Sequence, residues 1–428
     1  MESLFLRTSP RKLGISLALM LFVLALCLGW WANHHRMHEI LRHGSDPLGY
    51  YQFLPALLGT HTFDALPWSV GLENGRSLSV FSIGVALLQA PFFMGAMVSA
   101  AISGQPVDGY SCPFVWARLV AAAFYLALGC VLTFHVLRRW FPLHIALLTP
   151  VVLFVTTNLW FYTGYDAGMS HVYAFFLFAW LLHLTVGMVA TPSGPRLFGL
   201  FVCATLIVLV RPLNAIALLV PLLFGTPLRQ ALPTRWAWIK AFPGAAIAGL
   251  LAALVLLAPQ LAYWHHVTGD LLVFTYGKKG EGFDWLHPHL IDVLFSHQNG
   301  WFVYSPIMLA VMVAVIAGAW KGRPGFRVFL LVWALAWYSY ASWWNWWLGG
   351  AYGHRGFVEH YALLAPALAV VLDRLLRAGR GPKFAGLALI ALCAFLNVRM
   401  SMLYNSPWDG PDWTWQRVFE VWSKAFFA

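Results

Sequence analysis

Of the 428 residues, 10% are charged and 60% hydrophobic, with a mean hydropathy of +0.70. A soluble domain carries about 25% charged residues, so the composition excludes an ordinary soluble enzyme, and apolar runs of about 20 residues exclude the short alternating strands of a β-barrel. The net charge of +11 does not call for nucleic acid, because excess Lys and Arg in a membrane protein gather in cytoplasmic loops. The expected fold is an all-α polytopic membrane protein forming a single unit over 1–428.

In chain order, Arg7, Arg11 and Lys12 precede an apolar run at 13–31, which reads as an uncleaved signal-anchor with its N-terminus in the cytoplasm. A first outer loop with juxtamembrane helices is expected over 33–113, carrying Glu39, Arg42, His43, Asp46, Tyr50, Tyr51, His61 and Asp64. Within it, 79–102 is apolar enough to span. The next run, 114–137, ends at Arg138 and Arg139, which belong inside. Two full crossings would put that pair outside, so 79–102 is expected to be re-entrant or to lie at the interface, broken around Gln89 and Pro91.

Further spans are expected near 143–163, 172–190, 197–210, 212–226, 243–264, 301–320, 328–346, 357–375 and 384–403, followed by an outer tail over 404–428. With 13–31 and 114–137 this makes eleven crossings, N-terminus inside and C-terminus outside. Basic turns at Arg196, Arg229/Arg235/Lys240, Lys321/Arg323/Arg327 and Arg374/Arg377/Arg380/Lys383 then all fall inside. The 197–210 and 212–226 halves meet at Arg211-Pro212 and reach only about 21 Å each, short of the roughly 30 Å hydrocarbon core. All of the sixteen acidic residues except Glu2 and Asp373 fall outside or at outer span ends. Acidic residues contribute little to topology, so this asymmetry points either to chemistry on the outer face or simply to small, basic inner loops.

Several outer residues are candidates for that chemistry. Asp46 precedes Pro47, so it reads equally as the N-cap of a short helix and as a catalytic carboxylate. Asp166 opens a helix, and His171 follows five residues later. Arg355 lies in the glycine-rich turn "GGAYGHRG" with His354, and Glu359 follows; Arg binds phosphate bidentately and glycines let backbone N–H groups approach an anion. Arg211, at the tip of an apolar hairpin, is costly unless paired. Lys278 and Lys279 stand near Glu281, where a solvated loop is the ordinary reading. The tryptophans of "SWWNWWLGG" and "WDGPDWTWQRVFEVW" suit an interfacial belt or a carbohydrate groove. His265, His266, His287 and His289 show no HExxH-like spacing, and the five scattered cysteines suggest neither a metal site nor a disulfide framework.

Taken together, "GSDPLGYY", "GYDAGMSHVYAFF", "RPLN", "PQLAYWHHVTG", "GFDWLHPHL", "NGWFVYSP" and "WWLGGAYGHRGFVEHYALLAP" make the chain resemble the GT-C superfamily of membrane glycosyltransferases. That group includes protein O-mannosyltransferases and lipid A aminoarabinose transferases, and the likeness is greatest to uncharacterised bacterial members. The motifs are individually loose; their order, up to about residue 400, carries the resemblance. The chain departs from the protein mannosyltransferases in having Pro47 after Asp46, where they carry an Asp-Glu pair.

The resemblance implies an enzyme of the bacterial inner membrane, its site facing the periplasm. Such an enzyme moves a sugar from a polyprenyl-phosphate donor to a hydroxyl of a glycan, lipid or protein acceptor, with inversion, among membrane lipids and without nucleic acid. Asp46 would be the base, with Asp166 and His171 assisting it or orienting the acceptor. Arg355, Arg211 and Lys278 or Lys279 would hold phosphate, with His354 and Glu359 close by, and Tyr50 and Tyr51 would contact sugar. No cofactor is implied with certainty, and a divalent metal is left open. The rival classes are a transporter or lipid-handling permease, whose polar groups would sit at mid-membrane on broken helices, and a non-catalytic scaffold of the same fold.

Overall fold

The computed structural model describes residues 10–37, 39–41, 46–59, 69–404 and 413–427. Arg7, Arg42, His43, His61, Asp64 and residues 405–412 of the tail lie outside the described residues. Apart from one antiparallel hairpin, Ser69–Gly71 with Ser77–Ser79, the regular structure is helical.

Among the described residues, six helices are long and apolar enough to cross a membrane: Arg11–Arg36, Gly84–Ile102, Cys112–Leu137, Ser170–Ala190, Pro243–Thr268 and Arg380–Leu403. A bent pair, Pro212–Leu223 with Leu228–Ala241, makes a possible seventh, and four shorter apolar helices lie at Leu143–Thr156, Gly194–Val210, Ile307–Trp320 and Phe326–Ala341. The chain is an all-α polytopic membrane protein.

Ser170–Ala190 is the central helix: 83% of its most apolar window is buried inside the protein, against 22% for Pro243–Thr268 and Arg380–Leu403. Pro10–Asn33 packs on Cys112–Leu137, which packs on Ser170–Ala190; Gly194–Val210 lies between Ser170–Ala190 and Pro243–Thr268. Proline opens Cys112–Leu137, Gly194–Val210 and Pro243–Thr268, where its missing N–H costs nothing. Gly269, at φ +85°, ends the last of these as a left-handed cap.

Two segments differ from expectation. Gly84–Ile102 is one continuous helix with Pro91 inside it, not a broken segment. Two of its interior groups reach neighbouring helices: Gln89 donates to the Tyr173 hydroxyl at 2.8 Å, and the Leu88 carbonyl accepts from Tyr125 at 2.9 Å. Its first residue, Gly84, sits where any Cβ would meet the Leu209 and Val210 backbone at 2.3–2.4 Å. Only glycine permits that approach, and it sets this helix against the residues just before Arg211.

The stretch around Arg229, Arg235 and Lys240, expected as a basic turn, is a 14-residue helix, Leu228–Ala241, bent 87° from the segment before it. Arg235 donates from Nε and Nη2 to the carbonyls of Pro221 and Phe224 at 2.6 and 2.8 Å and lies over the Trp238 ring. Density of charge concealed the helical spacing of Leu228, Leu232 and Trp236, which form an exposed apolar stripe four residues apart. A further helix, Trp415–Phe427, occupies the end of the expected tail and buries Val418, Val421 and Ala425.

Candidate functional site

Asp46 is the first residue of a six-residue helix, Asp46–Tyr51. Its carboxylate lies 2.8 Å from Arg355 Nη2, and both side chains are about one-fifth exposed, at 21% and 20%. Residues expected separately as base and phosphate ligand therefore form one ion pair.

Each half of the pair is anchored from behind. Buried Arg118 donates to the carbonyls of Ile40 (3.1 Å) and Pro47 (3.4 Å) and lies 4.8 Å from the Tyr51 ring centroid. The Arg355 loop is strapped by three side chains. Asn299 donates to Trp347 and Gly349 carbonyls at 2.6 and 3.1 Å, Asn158 donates to the Tyr352 carbonyl at 3.1 Å, and the Tyr162 hydroxyl accepts from the Tyr352 N–H at 3.0 Å.

Asp166 reaches the same place on a turn between Leu159–Gly164 and Ser170–Ala190. Gly168 in that turn lies where a Cβ would come 2.6 Å from Pro47 and 3.0 Å from the Arg118 guanidinium, so glycine allows the Asp166 turn to dock against the Asp46 helix. Arg36 holds it from the other side, donating to the Tyr165 carbonyl at 3.2 Å. Asp166 is half-buried. Burial pushes its carboxyl up to about 6, with Arg355 pulling against that rise and Asp46 adding to it.

A second cation stands beside the first. Arg211 Nη1 lies 3.6 Å from Glu359 and 3.2 Å from His171 Nδ1, and Glu359 lies 3.0 Å from that same nitrogen. Arg211 is 20% exposed, whereas Glu359 is fully buried behind it. Tyr50 lies within the electrostatic reach of both cations. Burial raises its phenol, and Arg211, Asp46 and Arg355 all act on it. Tyr276 meets the same four groups, Tyr50 included, and burial raises its phenol well above the ordinary value. His354 donates from Nε2 to the Trp346 carbonyl at 3.1 Å, and burial pulls its imidazole down to about 3.

Asp46, Asp166, Tyr50, His171, Arg211, His354, Arg355 and Glu359 thus converge. Tyr51 does not join them: it is buried against Phe93 and Tyr110, donates to the Gly109 carbonyl and lies beneath Arg118. Lys279 pairs with Glu281 at 3.0 Å, and Lys278 is exposed on the same turn. His287 and His289 each pair with a nearby exposed carboxylate, Asp284 and Asp292, at 3.0 Å. Among the described residues, no group of three or more His, Cys, Asp or Glu side chains is arranged to hold a metal ion.

Arg118 and Tyr276 join the candidate site without having been expected there. Arg118 had a signal, being an arginine inside an apolar run; Tyr276 had none beyond its outer position.

No family model and no curated protein matches the chain. Among solved structures, the archaeal oligosaccharyltransferase AglB from Archaeoglobus fulgidus, in complex with an inhibitory peptide and a dolichol-phosphate, aligns with a TM-score of 0.47 at 13% identity. The alignment covers 95% of this chain and 59% of that one, so the chain spans about three-fifths of that protein's length. So loose a likeness carries no activity across.

Proposed function

We propose that the chain is an integral-membrane glycosyltransferase of the GT-C type. It moves a sugar from a polyprenyl-phosphate donor to a hydroxyl of a glycan, lipid or protein acceptor at the outer face of a bacterial inner membrane. The observation that carries this reading is the Asp46–Arg355 pair, with the second guanidinium of Arg211 close enough to act on it. Two cations at one site suit a phosphoryl leaving group, and a carboxylate in direct contact with one of them suits proton removal from the attacking hydroxyl.

In the resting protein Asp46 is neutralised by Arg355. An arriving donor phosphate competes for that guanidinium, which has further N–H groups to offer. Arg355 turns to the phosphate and Asp46 is released as a base. The acceptor oxygen then attacks the anomeric carbon as its proton passes to Asp46. The bond from that carbon to the phosphate oxygen breaks, its electron pair leaves with polyprenyl phosphate, and Arg355 and Arg211 stabilise the charge. Direct attack inverts the anomeric centre. Asp166, whose carboxyl burial raises to about 6, orients the acceptor as an anion.

Eleven crossings with the N-terminus inside and the C-terminus outside belong to the same reading, with Gly84–Ile102 at the outer interface. Purified protein in lipid nanodiscs, given a polyprenyl-phosphate sugar and candidate acceptors, tests the activity. Transfer by the wild type that is abolished in Asp46→Asn and Arg355→Ala supports the enzyme; full transfer by Asp46→Asn removes the assigned base. Cysteine labelling at Ser103–Gln105 tests the topology, and labelling from the cytoplasm would overturn it.

A further inference from the structure

Glu359, His171 and Arg211 form a cluster that the reaction above uses only through Arg211. Glu359 and His171 are both fully buried, the first just before the helix Tyr361–Arg377 and the second in the first turn of the central helix. A carboxylate so deep in an apolar protein is stabilised only by its partners, and such pairs are commonly replaceable by apolar residues without loss of stability. A role beyond stability is therefore indicated.

The distances decide how the proton lies. His171 Nδ1 is 3.0 Å from Glu359 Oε2 and 3.2 Å from Arg211 Nη1. With the lone pair on Nδ1 the ring would accept from Arg211 at 3.2 Å, but that lone pair would face the nearer carboxylate oxygen at 3.0 Å and the Nε2–H would have no acceptor among the described residues. With the proton on Nδ1, the ring donates to Glu359 and Nε2 keeps its lone pair. That Nε2 is buried and has no hydrogen-bond partner among the described residues. Both amide atoms of Asn214, three residues after Arg211, are also buried and unpartnered, and the Asn214 N–H donates to the Arg211 carbonyl at 2.9 Å. Acceptors and donors of this kind are unfavourable to bury unless a polar group meets them.

We propose that Glu359 is a positioning residue. It fixes the Arg211 guanidinium and holds His171 in its Nδ1–H form, so that His171 Nε2 accepts a hydrogen bond from a sugar hydroxyl. This rests on the glycosyltransferase reading for the identity of the ligand. The geometry and tautomer do not depend on it.

The test is 15N-histidine NMR of the full chain in nanodiscs, with His171→Asn used to assign the signal, alongside kinetics of Glu359→Gln and Glu359→Asp. The wild type should show His171 protonated at Nδ1 and bare at Nε2. In Glu359→Gln the amide can donate to Nδ1, so the proton should move to Nε2. The same variant should lose at least about tenfold in kcat and raise the donor KM through a loosened Arg211, with partial rescue in Glu359→Asp. A wild-type His171 protonated at Nε2, or a folded Glu359→Gln with unchanged kcat and KM, overturns the proposal. Should Glu359→Gln fail to fold, the wild-type spectrum alone still decides it. Absence of sugar transfer in the wild type would sink the enzyme reading and leave the tautomer result standing.

Discussion

Two arginine–carboxylate pairs share the site and are built in opposite senses. In Asp46–Arg355 both members are about one-fifth exposed, so an incoming anion can reach the cation and displace its partner. In Glu359–Arg211 the carboxylate is sealed behind the cation, which alone shows an edge. One pair is open to solvent on both members, the other on its cation alone. An ion pair reveals its role through which partner faces outward, more than through its length.

The sharpest way to break this comparison is at Arg355. Arg355→Ala should lower kcat/KM for transfer by about 10²–10³, the cost of losing one charge-stabilising donor, and donor binding to the purified variant should weaken with it. Asp46→Asn should lower kcat by about 10²–10⁴ yet tighten binding of polyprenyl phosphate several-fold, because the competitor for Arg355 has lost its charge; titration with the lipid measures this. Weaker binding in Asp46→Asn would refute partner exchange.

Stability separates the pairs next. Removing one partner of a buried pair costs about 3–5 kcal/mol, so Glu359→Ala should lower the melting midpoint strongly. Asp46→Asn, at a partly exposed pair, should change stability by about 1 kcal/mol or less.

A smaller effect concerns pH. The Asp166 carboxyl is raised from 3.8 to about 6 in the folded protein. Between those values the folded chain keeps a proton that the unfolded chain releases, so this group makes stability fall as pH rises through that window. Asp166→Asn should remove that slope from the melting curve and, if Asp166 orients the acceptor as an anion, the acid limb of kcat/KM near 6. Lys279→Ala should be nearly silent, changing transfer by less than about twofold, as expected for a surface pair.

Much of this was legible in the sequence because lipid imposes blunt rules. Long apolar runs marked the helices, and charged residues in unlikely places, such as Arg211 and Arg355, marked the site. What stayed hidden depends on contacts between distant segments. Nothing local distinguishes Tyr50 from Tyr51; neighbours in the chain, they point to opposite surroundings because a six-residue helix turns between them. Asp46 opens a short helix, as its Pro47 neighbour suggested, but its ion-pair partner Arg355 lies more than three hundred residues away and left no local mark. Gln89 suggested a break because its partner, Tyr173, lies on another helix.

The contact at Gly84 has a mechanical consequence. A side chain between two helices can change rotamer and absorb a displacement. Bare backbone against bare backbone has no such slack. Gly84 meets Leu209 and Val210 directly, so the start of the helix Gly84–Ile102 cannot shift towards the residues just before Arg211 without a steric clash.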